Sequence, residues 1–167
     1  KLFVVGLGGD SIYQYTLTTG FDISTASYDS VSLSVSSQDN TPRSVSFSGS
    51  GTKMYLIGSG NSSIYQYTLT TGFDLSTASY DSVSFSVNSQ ESTPTDFVFN
   101  NDGTKFFVAG VDDTVYQYSL TTEFDISTSS YDSVSFSVTS QEDTLMGFVF
   151  NTDGTKMYVV GLGDDTV

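Results

Sequence analysis

The stretch that decides the fold runs from Asp102 to Leu120 and reads DGTKFFVAGVDDTVYQYSL. Its first half is a turn followed by Phe106–Ala109, a run that is apolar on both faces, as expected of a strand covered on both sides. A turn rich in Gly and Asp then leads into Val115–Leu120, where Tyr and Leu alternate with Gln and Ser. Because Asp next to Gly tolerates a positive φ, the stretch predicts short strands joined by tight turns.

This stretch is part of a unit of about 52 residues that repeats along the whole chain. The segment Ile12–Thr19 recurs from Ile64 and, with small changes, from Val115, at offsets of 52 and 51 residues. A Gly-Thr-Lys turn recurs at the same offsets, and Lys156–Gly163 matches Lys1–Gly8. A fixed period of this length predicts a repeat architecture.

Each unit predicts four strands, which we label A to D. In one repeat they are Asp96–Phe99, Lys105–Ala109, Val115–Leu120 and Val134–Val138. Strands A and B are apolar on both faces, whereas strand D alternates strictly between apolar residues and Ser, so that one of its faces meets water. Helical periodicity appears nowhere. The sequence therefore predicts an all-β chain of four-stranded antiparallel meanders.

Four-stranded repeats of this length are typical of β-propeller blades. We expect a partial blade of strands B, C and D over residues 1–37, full blades over 38–89 and 90–140, and a partial blade of strands A and B over 141–167. The alternative is a β-trefoil, which also contains three repeats of four strands. The overlap of the chain ends, the tight A–B hairpin and the doubly apolar inner strands favour the propeller.

A known family carries similar residues. The blade repeat of YVTN-type and lactonase-like propellers resembles two consecutive parts of this repeat. The first part is the turn and strand seen at Asp153–Gly161, and the second is the turn and strand seen in an earlier copy at Asp112–Leu120. The same motif resembles tandem propeller arrays in secreted and virion-associated proteins of marine microbes. The resemblance covers essentially the whole chain and implies a propeller fold, but the motif gives almost no information about function.

Composition excludes several classes of function. The 167 residues include no His and no Cys, so there is no His general base, no Ser-His-Asp triad and no thiol or imidazole metal ligand. A net charge of −14 with only 5 basic residues argues against binding a phosphate backbone. No apolar run approaches the ~20 residues that cross a bilayer. We therefore expect a protein that is not an enzyme and has no cofactor.

The loops that vary between repeats are the candidate binding surface. The D–A and B–C loops emerge at one end of the strands, where a propeller surrounds the mouth of its central channel. The candidate ligand-binding residues on this face are Arg43, Asp96, Asp112, Asp113, Asp164 and Asp165. The alternative explanation is that solvent-exposed loops without a function have accumulated neutral substitutions. The acidic loops are also compatible with Ca²⁺, although their spacing is not that of an EF-hand.

These observations predict a non-enzymatic scaffold or binding module of an extracellular or virion-surface protein, which binds a protein or a glycan through one loop face. The alternatives are a lectin-like carbohydrate-binding propeller and, more weakly, a lactonase or glycoside hydrolase. Three blades do not close a ring, since propellers have ~4–8. We expect the chain either to dimerise and so close the propeller, or to continue into neighbouring blades of a longer array. Nucleic-acid binding and a membrane span are not expected.

Overall fold

The computed structural model describes residues 1–162, and its regular structure is almost entirely extended. The strands are β1 Leu2–Gly6, β2 Ser11–Leu17, β3 Ala26–Ser34, β4 Pro42–Phe47, β5 Lys53–Gly58, β6 Ser63–Leu69, β7 Ala78–Ser86, β8 Pro94–Phe99, β9 Lys105–Gly110, β10 Thr114–Leu120, β11 Ser129–Ser137, β12 Leu145–Phe150 and β13 Met157–Gly161. Three short 3-10 turns, Ile23–Thr25, Leu75–Thr77 and Ile126–Thr128, precede β3, β7 and β11.

The strands form separate antiparallel meanders. In spatial order they are β1-β2-β3, β4-β5-β6-β7, β8-β9-β10-β11 and β12-β13. Every hydrogen-bonded pair is antiparallel and consecutive in sequence, for example Val4 opposite Tyr13 and Phe106 opposite Tyr118. The prediction of an all-β chain with four-stranded antiparallel sheets is confirmed. The first strands of neighbouring sheets lie side by side, since β8 contacts both β4 and β12.

The core lies between neighbouring sheets rather than within one of them. Tyr55 and Ile57 on β5 are fully buried against Phe97, Phe106 and Tyr118 of the next sheet. The rings of Phe106 and Tyr118 stack with centroids 4.7 Å apart. Aromatic rings bury large apolar areas, which explains how a chain with few aliphatic residues fills its core. Each sheet therefore depends on its neighbours for stability.

A glutamine on the third strand of a sheet ties that sheet to the next. Gln66 is 4% exposed; its Nε2 donates to Asp81 Oδ2 at 2.9 Å, and its Oε1 accepts the backbone N–H of Ile126 at 3.0 Å. Gln14 makes the same bridge one repeat earlier, with the backbone N–H of Leu75 at 2.7 Å. The amide satisfies a buried N–H of the neighbouring 3-10 turn, which has no strand partner.

The lysines of the repeated turn pair with a carboxylate, as their sequence position suggests. Three ion pairs of this kind are Lys1–Asp29 at 2.6 Å, Lys53–Asp81 at 2.8 Å and Lys105–Asp132 at 3.3 Å. Hydrogen bonds from Lys1, Gln14 and Thr16 lower the pKa of Asp29 to about 2. These aspartates recur in every repeat and hold neighbouring strands together, so they are structural groups.

Candidate functional site

The loops that enter the first strand of a sheet and those that join its second and third strands lie together at one end of the sheet. A buried acidic side chain joins them. Asp39 is 1% exposed, and its carboxylate accepts backbone N–H groups from Thr41 at 2.7 Å, Gly60 at 3.1 Å and Asn61 at 2.9 Å. The carboxylate thereby satisfies loop N–H groups that have no partner in a strand.

In the next sheet the same position brings two carboxyl groups together. Glu91 takes the place of Asp39 and is also 1% exposed; it accepts the backbone N–H of Thr93 at 2.6 Å and that of Asp112 at 3.4 Å. The side chain of Asp112, which stands where the preceding repeat has Asn61, hydrogen-bonds to Glu91. Burial and the neighbouring Asp112 carboxyl raise the pKa of Glu91 to about 7.

A tyrosine completes this cluster. The hydroxyl of Tyr116 on β10 donates to Asp112 Oδ2. Burial and the charge of Asp112 raise the pKa of Tyr116 to about 12, so the phenol stays protonated at neutral pH. Asp112 itself is exposed to solvent. The cluster is thus a solvent-facing carboxylate held by a phenol and by a buried carboxyl that titrates near neutrality, an arrangement suited to proton transfer.

Two other candidate residues connect the third sheet to β12. The side chain of Asp113 is buried and accepts the backbone N–H of Leu145 at 2.9 Å. Asp96 accepts the backbone N–H groups of Phe97 at 2.9 Å and of Phe148 at 3.2 Å, and burial raises the pKa of its carboxyl. Both carboxylates accept a backbone N–H from β12. This structural role explains why acidic residues stand at these two positions.

Of the remaining candidates, Arg43 forms no hydrogen bond or ion pair with this cluster, and two lie outside the described residues. Arg43 on β4 donates from Nε to Ser59 Oγ at 3.0 Å, a contact within the second sheet. Asp164 and Asp165 lie outside the described residues. Of the acidic candidates, the structure places Asp112 and Asp113 in one loop but directs them to different partners. Ligand binding by these residues stays a prediction.

Metal binding also stays a prediction. Within residues 1–162, no three side chains of His, Cys, Asp or Glu are grouped so that they could hold a metal ion. In the loop proposed for Ca²⁺, Asp112 contacts Glu91 and Tyr116, whereas Asp113 contacts Leu145. The two carboxylates of this pair therefore do not converge on one point.

Sequence reasoning missed Glu91. Its position is acidic in every repeat, as Asp39, Glu91 and Glu142, and a repeated residue is normally structural. The relevant signal was the combination of that repeated acid with an Asp in the loop between the second and third strands that follow it. Asp112 supplies this second carboxyl, whereas Asn61 occupies the same place one repeat earlier.

We expect the raised pKa of Glu91 to make stability depend on pH. The pKa of this carboxyl rises from 4.5 to about 7 on folding, so the folded state binds its proton more tightly than the unfolded state does. Its contribution is complete below pH ~4.5 and is lost as the pH rises through 7. Urea unfolding from pH 5 to 8 should therefore show a falling free energy of unfolding, and Glu91→Gln should flatten that fall. An equally steep fall in the variant would assign the effect to another group.

Solved structures share this fold. A Bacteroides uniformis protein provisionally described as a 6-phosphogluconolactonase superposes with a TM-score of 0.64 at 12% identity, covering 94% of this chain and 43% of its own. A Bacteroides fragilis protein with the same provisional description gives 0.63 at 14% identity, covering 95% and 46%. The periplasmic gluconolactonase of Pseudomonas aeruginosa gives 0.61 at 15% identity, covering 96% and 42%. This chain thus spans less than half the length of each.

These comparisons correct one expectation. The absence of His led to the prediction of a protein that is not an enzyme, yet the structures that share the fold over at least 94% of the chain include lactonases by name.

Neither a protein-family model nor a curated protein matches the sequence. Among residues 1–162, no helix is long and apolar enough to span a membrane. The chain has the fold of β-propeller blades of the kind found in gluconolactonase-like proteins.

Proposed function

We propose that this chain supplies blades to a β-propeller hydrolase that opens lactones, and that the reaction takes place at the Glu91–Asp112–Tyr116 cluster. The observation that carries the proposal is the contact between a buried carboxyl and an exposed one, which gives Glu91 a pKa of about 7. Perturbed carboxyl pairs of this kind are typical of acid–base sites. The shared fold of proteins described as lactonases supports the choice of reaction.

The chemistry needs one general base. Asp112 is the most exposed member of the cluster, so its carboxylate takes a proton from a water molecule as that water attacks the lactone carbonyl. The ring C–O bond then breaks, the ring oxygen receives the proton, and a hydroxy acid leaves. Tyr116 and Glu91 act as positioning residues because both hydrogen-bond to Asp112 and fix its carboxylate.

The charge of the chain favours an uncharged substrate. The net charge of the chain is −14, and its single Arg, Arg43, bonds to Ser59 rather than to the cluster. A negative surface repels anions and speeds their departure. A neutral sugar lactone is therefore a better substrate than a phosphorylated one, and its hydroxy-acid product, which is anionic at neutral pH, is expelled.

We expect Asp112→Asn to lower kcat/KM for glucono-δ-lactone by about 10²- to 10⁴-fold, the usual contribution of a positioned general base. The assay follows acid release with a pH indicator and subtracts uncatalysed hydrolysis. Glu91→Gln keeps a neutral, hydrogen-bonding side chain next to Asp112, so most of the activity should remain while its pH dependence near 7 disappears.

The matched control is Asp102→Asn. Asp102 is an exposed carboxylate in the turn at the opposite end of the same sheet, where it accepts from Thr104. Its replacement should leave kcat/KM unchanged. Hydrolysis that is equal in the wild-type and Asp112→Asn proteins, or that is absent from a folded wild-type chain, would refute the proposed function.

We also propose a location outside the cytoplasm, at a cell or virion surface. One protein that shares the fold is periplasmic, and a chain without Cys has no thiols to oxidise in such compartments. Fractionation of cells that express the native gene would test the location, because the protein should then be recovered outside the cytoplasmic fraction.

A further inference from the structure

The turns that join the first and second strands of neighbouring sheets enclose a cavity. Its volume is about 750 Å³, and it lies at the opposite end of the sheets from the Glu91–Asp112–Tyr116 cluster. The hairpins β4–β5, β8–β9 and β12–β13 each contribute residues to its wall. Cavities of about 300–1,000 Å³ that combine apolar walls with a few polar groups are typical of small-molecule sites.

Aromatic rings form part of this wall. Phe47 ends β4 and Phe99 ends β8, and both line the cavity. Each ring also packs on a phenylalanine in a loop of its own sheet, Phe47 on Phe73 with centroids 5.5 Å apart and Phe99 on Phe124 at 5.4 Å. Both strands have a neighbouring sheet on either side, yet both rings stay half-buried. Their accessible surface is therefore a property of the cavity and does not result from a missing neighbour.

Two neutral polar side chains on the wall have unused hydrogen-bonding capacity. The Ser46 hydroxyl on β4 is half-buried and forms no hydrogen bond with the described residues. Asn101, in the turn after β8, donates from Nδ2 to the backbone carbonyl of Thr152 at 2.7 Å, while its Oδ1 accepts no hydrogen bond from the described residues. A purely apolar ligand would leave both groups without partners, whereas the hydroxyl groups of a ligand would satisfy them.

The charge of the wall disfavours an anionic ligand. No Lys or Arg stands among the described residues that line the cavity, and the net charge of the chain is −14. The two carboxylates at the rim, Asp102 and Asp153, each accept the hydroxyl of a threonine in their own turn. The side chains with unused capacity are therefore uncharged, and a neutral ligand rich in hydroxyl groups matches them.

We propose that this cavity binds a neutral carbohydrate, at a site separate from the proposed catalytic cluster. Pyranose rings pack on Phe47 and Phe99, because the C–H groups of a sugar are polarised by its oxygens and the face of an aromatic ring is negative. Hydroxyl groups of the sugar bond to the Ser46 hydroxyl and to Asn101 Oδ1. The inference does not depend on the proposed lactone hydrolysis.

A printed array of neutral, sialylated and sulfated glycans tests the proposal, followed by isothermal titration calorimetry with the neutral glycan that binds best. We expect binding to neutral glycans and weaker binding to the sialylated and sulfated ones, since an acidic protein repels anions. Gly49 also lines the cavity, and a Cβ added there meets no atom within 4 Å. Gly49→Leu should therefore narrow the cavity without a clash and raise the Kd by about 10-fold or more.

Ser46→Val tests the hydroxyl by itself. Val98 and Val149 occupy the same place in the next two repeats, so the strand accepts Val at this position. The loss of one hydrogen bond should raise the Kd for the same glycan by about 5-fold. Near-ultraviolet circular dichroism of each variant checks that the tyrosines keep their native packing.

The matched control is Gly20→Leu. Gly20 lies in a loop at the same end of the first sheet, an added Cβ there also meets no atom within 4 Å, and the residue does not line the cavity. This variant should bind the glycan with an unchanged Kd. Failure to bind any neutral glycan would overturn the proposal, as would tighter binding of sulfated glycans or of the cation spermidine. Binding that Gly49→Leu and Ser46→Val leave intact would place the carbohydrate elsewhere and overturn it too.

Discussion

Phe106→Ala should lower the free energy of unfolding by about 3–5 kcal/mol, the usual cost of deleting a fully buried aromatic side chain. Phe106 is 0% exposed and lies among three rings, stacked on Tyr118 and in edge contact with Phe85 and Phe99. Two of these rings share its sheet, and Phe85 belongs to the preceding one. The cavity would therefore open at the joint between two sheets, where the core is concentrated.

Leu2→Ala is the matched control for this prediction. Leu2 holds the same position of the repeat in β1, but it is 39% exposed. Its loss should cost less than ~1 kcal/mol, because little of its surface leaves water on folding. Urea unfolding followed by tyrosine fluorescence measures both variants. Similar losses for Phe106→Ala and Leu2→Ala would show that the joint between sheets is not the main source of stability.

Gln66→Leu is expected to lower the free energy of unfolding by about 2.5–6 kcal/mol, although it replaces a polar residue by an apolar one of similar size. The change leaves the buried N–H of Ile126 without an acceptor and removes a donor from the Asp81 carboxylate. An unsatisfied buried donor costs about 1–3 kcal/mol, and hydrogen bonds to charged groups contribute about 1.5–3 kcal/mol. The expected loss follows from these two contributions.

Gln117→Leu provides the comparison within the same chain. Gln117 keeps the bond to Asp132, but within residues 1–162 it bridges to no neighbouring sheet. Gln117→Leu should therefore lower the free energy of unfolding by less than Gln66→Leu does. Equal costs would show that the bridge to Ile126 adds nothing to stability.

The repeat made much of the fold predictable. The period of about 52 residues, the Asp-Gly turns and the change from doubly apolar to alternating strands predicted four-stranded antiparallel meanders. These signals are local, because turn chemistry and side-chain alternation act within a few residues. The 3-10 turns, in contrast, were not predicted. Asp22, Asp74 and Asp125 cap them by accepting the N–H two residues ahead, the role expected of an Asp that recurs in a Ser/Thr-rich loop.

The candidate site was less predictable. Asp112 was singled out from the sequence, but its partner Glu91 lies 21 residues earlier and belongs to a position that is acidic in every repeat. Only the folded loops show that the two carboxyl groups meet and that one of them is buried. A pKa depends on burial and on neighbouring charges, and neither quantity is local in sequence.

By itself, the sequence determined the repeated unit, its strands and its turns, since these depend on backbone preferences and on alternation within each segment. Only the tertiary structure decided what each copy of a residue does. Phe21, Phe73 and Phe124 occupy the same place in three repeats, yet Phe21 is fully exposed while the other two pack on glycine turns. Burial depends on which sheet lies alongside, and near-identical repeats differ in their neighbours even where they do not differ in their residues.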